Sequence, residues 1–234
     1  MSSDPDDIKV PLDTGRAITA RVYRTGAPGS ELPPTRRAVL VLGHGAGAGQ
    51  DSRFMVDFAA AMASLGITTV TFNFPYTEEK RRVPDRREVL ESCYRAVIET
   101  VRREVSAKDG SIFIGGKSMG GRMATHVAAA DPQLKLGGLV LLGYPLHPPG
   151  RPTERRDQHL PAIRRPMLFV QGSRDTFGTP EELQPVLDTL QPKPTLFVID
   201  GGDHSFKVAR SRNQAEVFRS IQLKITEWIT ESRV

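Results

Sequence analysis

The stretch Gly116-Lys117-Ser118-Met119-Gly120-Gly121 constrains this chain more than any other, because it sets a serine inside a G-x-S-x-G frame. The apolar run before it, Ser111 to Gly115, reads as a buried strand, and Arg122 to Ala130 reads as a helix. A strand that turns straight into a helix leaves almost no room at the turn, so the residues flanking the serine must be small. Gly116, Gly120 and Gly121 allow the two elements to approach closely while the Ser118 hydroxyl stands above the sheet edge. A glycine-rich loop with an ordinary serine would carry the same letters. The strand–turn–helix context is what makes the pattern a nucleophile elbow.

The surrounding pattern is regular. Ile8 to Leu12 and Ala17 to Arg24 alternate like a hairpin of antiparallel edge strands, and a Pro/Gly-rich loop follows from Gly26 to Thr35. Buried-type strands are expected at Ala38–Leu42, Ile67–Phe74, Leu139–Leu142, Met167–Val170 and Thr195–Ile199. Helices are expected at Arg53–Leu65, Asp85–Val105, Pro180–Leu190 and Asn213–Ser232, the first closed by Gly66. The Asp85–Val105 helix carries Val89, Leu90, Cys93, Val97, Ile98, Val101 and Val105 on one face, so the single cysteine reads as core. Apolar strands alternating with helices imply an α/β fold, with a mostly parallel sheet covered by helices on both faces. Tyr144 to Pro166 is Pro- and Arg-rich and too short for a helical cap domain.

The 234 residues suit a single domain spanning 1–234, with 1–7 expected to lie outside its ordered part. With 38% hydrophobic and 25% charged residues, and no apolar run near the roughly 20 residues of a membrane span, the composition is that of a globular, non-membrane protein. The acidic start Met1 to Asp7 does not read as a secretory signal, and one cysteine supports no disulfide framework, so cytoplasm is the expected compartment. The formal charge of +5 resides partly in pairs such as Arg36-Arg37, Arg86-Arg87 and Arg155-Arg156. These are interleaved with acids and lack an aromatic platform, so they read as solvated faces rather than a nucleic-acid surface.

A serine needs a base to take its proton, and the base needs an acid to hold its tautomer. Ligands in an open α/β sheet sit at the carboxyl ends of the strands. Of the five histidines, His204 alone directly follows a late strand, in Gly201-Gly202-Asp203-His204. Asp175, after the strand ending at Val170, is the acid; Asp203 is too close in sequence to His204, and Asp200 is a weaker competitor. The order Ser118, Asp175, His204 is that of α/β-hydrolases. The Met119 N–H and the Ala46 N–H, from the turn His44-Gly45-Ala46-Gly47, would hold a developing oxyanion. That turn lacks the Lys-Ser/Thr ending of a phosphate-binding loop and an acidic ribose partner. Arg53, Tyr76, Lys117, Arg122 and Tyr144 are candidates for the pocket mouth, where cations could meet an acidic group or simply form ordinary salt bridges. The scattered histidines argue no metal site, and the chemistry requires no cofactor.

His44-Gly45, Gly116 to Gly121, Gln171-Gly172-Ser173-Arg174-Asp175 and Gly202-Asp203-His204, in that order, resemble small, nearly capless α/β-hydrolases. The resemblance is to the group containing the testis-expressed protein thirty and a domain of a nonspecific-lethal chromatin complex subunit, and more broadly to dienelactone hydrolases. It runs from about Ala38 to the C-terminus. It implies an α/β-hydrolase fold with Ser118, Asp175 and His204 in the triad positions. Dienelactone hydrolases proper use a cysteine where this chain has Ser118, which separates nucleophile and substrate from theirs. The expected activity is hydrolysis of a small-molecule carboxylic ester or thioester. Acyl transfer or peptide cleavage with the same residues, and a non-catalytic scaffold that keeps the fold, are the alternatives.

Overall fold

Every apolar run that reads as a strand lies in one eight-stranded sheet. The computed structural model describes residues 5–26, 37–106, 108 and 110–232. The strands are β1 (Asp6–Pro11), β2 (Ala17–Tyr23), β3 (Val39–Gly43), β4 (Thr68–Phe72), β5 (Ile112–Lys117), β6 (Gly138–Leu142), β7 (Met167–Gly172) and β8 (Thr195–Ile199). Their order is β1-β2-β4-β3-β5-β6-β7-β8. β2 pairs antiparallel with both β1 and β4, and all later pairings are parallel. The parallel strands therefore bring their carboxyl ends to one edge, and that edge carries every loop of the site.

Because side chains alternate across a strand, each central strand serves two cores. Val39, Val41, Ile112, Ile114, Leu139, Leu141 and Phe169 face one layer, built from α3 (Arg87–Glu104), α4 (Met119–Ala130) and α5 (Pro180–Leu187). Leu40, Leu42, Phe113, Val140, Leu168 and Val170 face the other, built from α1 (Arg53–Ser64) and α6 (Gln214–Glu231). Each fully buried aliphatic or aromatic side chain in these layers contributes about 1.5–3 kcal/mol. Phe113 and Trp228 meet edge-on across the second layer, at 5.9 Å between ring centroids. Chemically explicit ends fix the helices: Thr179 and Glu182 close a capping box on α5, and Asn213 caps α6.

Several expectations are corrected. Asp6 and Asp7 belong to β1, paired with Val22 and Arg21, so the ordered part begins before residue 8. Residues 1–4, and most of the loop expected at Gly26–Thr35, lie outside the described residues. The chain after Pro75 is one helical turn, α2 (Pro75–Glu78), because proline at the first helical position sacrifices no needed donor. Val89 is 43% exposed, whereas Cys93 is buried. The 144–166 segment is a folded-back loop with one 3-10 turn at Leu160–Ala162, and it plugs Leu146, Leu160 and Ile163 into the first core.

Candidate active site

Ser118 occupies the turn between β5 and α4, with φ 51° and ψ −113°. A non-glycine residue in that region costs about 1–3 kcal/mol, so the surroundings must impose it. They do so by contact: a Cβ on Gly116 or Gly120 would sit 2.2 or 2.1 Å from the Gly43 carbonyl oxygen. β5 and α4 are thus pressed against the end of β3 at the two glycines that bracket the serine.

β7 and β8 converge in the same way. A Cβ on Gly172 would sit 2.3 Å from the Gly202 oxygen, so the loops after these strands touch backbone to backbone. This brings Asp175 and His204 together across 29 residues of sequence. His204 Nδ1 lies 2.8 and 3.0 Å from the two carboxylate oxygens of Asp175, and Nε2 lies 2.9 Å from Ser118 Oγ. Asp175 is fully buried, and its remaining bonds are made by the Gln171 side-chain amide (2.8 Å) and the Phe177 N–H (2.8 Å). The Phe177 ring stacks on the imidazole at 4.1 Å. The competing acids are engaged elsewhere. Asp203 accepts the N–H groups of Ser205 and Lys207, and exposed Asp200 pairs with Arg212. Sequence reading assigns no role to Gln171 or Phe177. Gln171 stands in the motif that ends at Asp175, and Phe177 has only its place two residues after the acid as a signal.

The Ala46 turn rests directly against the serine: a Cβ on Gly45 would lie 3.7 Å from Ser118 Cβ. Met119 is the first residue of α4, where the N–H has no carbonyl one turn back to accept it. The two expected oxyanion donors, Ala46 and Met119, line the same cavity as Ser118. His44 braces the turn from behind. The Phe74 N–H donates to His44 Nε2 at 3.2 Å, which leaves the proton on Nδ1 to be donated to the Gly45 carbonyl at 2.8 Å. Burial pushes the His44 pKa down, consistent with this neutral tautomer.

The cavity has a volume of about 600 Å³ and is lined by Ser118, His204, Lys117 and Arg122 among others. That is within the usual range for small-molecule sites, roughly 300–1,000 Å³. Lys117 is half-buried, with its ammonium 5.5 Å from the Phe206 ring centre. Burial pushes its pKa down to about 8, against the opposing pull of Asp175 and Asp203. Three other expectations for the pocket mouth fail. Arg53 lines a separate groove beside Phe218, with its side chain 95% exposed and paired to Asp57. Tyr76 is buried and set edge-on to His44 at 5.9 Å, because the α2 turn carries it under the 44–47 turn. Tyr144 is buried as well, and its hydroxyl donates to the Arg156 carbonyl at 2.6 Å. It holds the 144–166 loop down. Arg156, expected on a solvated face, is half-buried and lines the cavity, and Arg87 lines it too while staying exposed.

The fold has known counterparts. A family model described as an alpha/beta hydrolase domain matches residues 36–230. A serine hydrolase without lid from Xanthomonas campestris superposes with a TM-score of 0.71 at 21% identity, covering 97% of this chain and 96% of that one. The dienelactone hydrolase of Anabaena variabilis gives 0.74 at 18% identity, covering 98% and 99%. Est1E from Butyrivibrio proteoclasticus, with ferulic acid bound, gives 0.74 at 15% identity, covering 95% and 99%. No helix among the described residues is long and apolar enough to cross a membrane.

Proposed function

We propose, from the premise that this chain belongs to the alpha/beta hydrolase family, that it acts as one domain and is a serine hydrolase of small carboxylic esters or thioesters. One observation carries the reading: the His204 imidazole bridges a buried carboxylate and the hydroxyl of a serine on a strained turn. Asp175 accepts the Nδ1–H, which leaves Nε2 free of a proton and able to take the one from Ser118 Oγ. The alkoxide attacks the carbonyl carbon, and the Ala46 and Met119 N–H groups hold the oxygen that becomes negative. His204 returns the proton to the departing oxygen or sulfur. A water then repeats the sequence on the acyl-enzyme, releasing the acid and restoring Ser118. The lone, buried Cys93 suits a cytoplasmic setting.

The test is covalent labelling. A fluorophosphonate probe should attach to Ser118, located by mass spectrometry, and Ser118→Ala should abolish both labelling and ester turnover. A folded protein that leaves the probe unreacted would sink the hydrolase reading. A short alcohol that diverts the acyl group in preference to water would identify transfer instead.

A further inference from the structure

The flank of the cavity beyond Ser118 holds positive charge that no ion pair among the described residues neutralises. Arg122 projects from the first turn of α4, four residues after the serine, and Arg156 comes from the folded-back loop; both line the cavity. Neither guanidinium makes an ion pair among the described residues, and Arg122 Nε is buried without a hydrogen-bond partner. Both side chains are half-buried, and a guanidinium that loses part of its hydration without gaining a partner is costly, so its retention calls for a reason.

The neighbouring groups do not supply the missing charge. Asp85, the acid on the same cavity, is committed to the Tyr76 N–H (2.9 Å) and to Arg81 (2.6 Å). Asp157 pairs with Arg155 at 2.6 Å, and Glu154 with Arg151 at 3.0 Å. Glu91 lies against Arg87 at 3.2 Å. The loop geometry also holds Arg156 in place, through the Tyr144 hydroxyl on its carbonyl and its own N–H on the Leu146 carbonyl at 2.9 Å. A guanidinium fork matches a carboxylate or a phosphate better than any other ligand group.

We propose that the substrate carries an anionic group, a carboxylate or phosphate set apart from the scissile ester, and that Arg122 and Arg156 grip it while Ser118 faces the carbonyl. This rests on the serine-hydrolase reading and narrows its substrate class. The ester is split by water into acid and alcohol as before, and the anion is not consumed. Burial, followed by repulsion from Arg156, pushes the Arg122 pKa down, and a bound anion reverses the second of these effects.

Matched esters provide the test. Turnover of mono-p-nitrophenyl adipate is compared with that of p-nitrophenyl hexanoate, and 4-acetoxybenzoate and 4-acetoxyphenyl phosphate with phenyl acetate, all at low ionic strength and corrected for spontaneous hydrolysis. At least one anionic ester should exceed its neutral partner by about tenfold or more in kcat/KM. The arm that responds separates carboxylate from phosphate and acyl side from alcohol side. In R122Q/R156Q, checked for an unchanged melting transition, that ratio should fall to near one, and R122K/R156K should restore part of it. Ratios near or below one in all three arms, with Ser118 labelled by the probe, would overturn the anion proposal and leave the hydrolase reading standing. If Ser118 is not labelled, calorimetric titration with adipate and phenyl phosphate decides. Binding that weakens about tenfold or more in R122Q/R156Q supports an anion site without the hydrolase, and absence of binding removes both.

Discussion

The two walls of the Ser118 cavity are built in opposite ways. On the wall formed by the β7 and β8 loops, each polar side-chain atom of Asp175 and His204 has a partner within 3.0 Å. On the wall formed by α4 and the folded-back loop, the guanidinium groups of Arg122 and Arg156 have none from the described residues. A saturated network cannot reorient without losing bonds, so the first wall is preorganised for a reaction. An unsaturated one gains most when a ligand completes it, so the second wall suits the proposed recognition of an anion. In the proposed reaction, chemistry and binding thus fall to different parts of the chain.

The largest expected effect comes from breaking the saturated wall. Both oxygens of Asp175 already accept hydrogen bonds, from Gln171 and Phe177, and His204 Nδ1 approaches both. In Asp175→Asn one of these oxygens becomes an NH2 group that must face a donor, so the imidazole loses its tautomer or the loop gives way. Ester turnover should fall by about 10³–10⁴-fold, with probe labelling of Ser118 slowed in step. Activity within tenfold of the parent protein would mean that the wall is scaffold rather than chemistry.

A smaller effect should come from beneath the recognition wall. His126 and His159 stack there at 3.7 Å, and His159 Nε2 lies 2.8 Å from Thr125 Oγ1. Burial first, then repulsion from His159 and Arg122, pushes the His126 pKa down to about 3, and burial followed by repulsion from Arg122 and Arg87 pushes that of His159 down to about 4. Ordinary histidines take up protons near pH 6.5, so between that value and about 3 the unfolded chain binds more protons than the folded one. Stability is therefore complete above about pH 6.5 and is lost as the pH falls. Urea midpoints at pH 7 and pH 5 should differ accordingly, and His159→Gln should shrink the difference. An undiminished difference in the variant would place the acid-sensitive groups elsewhere.

Sequence reading reached the preorganised wall more fully than the recognition wall, and the reason is physical. Close backbone approach demands glycine, so Gly116, Gly120 and Gly172 announce where strands and turns meet, and the strand-end rule then selects Asp175 and His204 as neighbours. The recognition wall depends on tertiary detours that leave no local mark. Arg156 sits in an Arg-Arg pair like any solvated pair, and tertiary contacts such as the Tyr144 hydroxyl on its carbonyl and its own N–H on the Leu146 carbonyl turn that loop over the cavity. Tyr76 follows a strand end and looks exposed, yet one helical turn starting at Pro75 carries it into the core. His44, read only as part of a glycine-rich turn, owes its bracing role to the N–H of Phe74, thirty residues away.

Lys117 is the residue most able to blur the division, since it stands on the chemical wall without a hydrogen-bond partner among the described residues. Its Nζ is near His204: a Cβ on Gly143 would lie 3.0 Å from the ammonium and 3.4 Å from His204 Nδ1. Its folded pKa, lowered chiefly by burial to about 8, lies below the ordinary lysine value of about 10.4. The unfolded chain therefore holds the proton more tightly across that window. The penalty is present in full below about pH 8 and relieved as the pH rises towards 10.4, so stability rises with pH there. Lys117→Met keeps the length of the side chain and removes the charge. It should raise the melting temperature at pH 7 by about 2–4 °C, the shift expected for about 1 kcal/mol in a chain of this size, and the gain should narrow above pH 8. A variant that melts lower at pH 7 would show that the ammonium is held by the carboxylates around it, and that the chemical wall is saturated throughout.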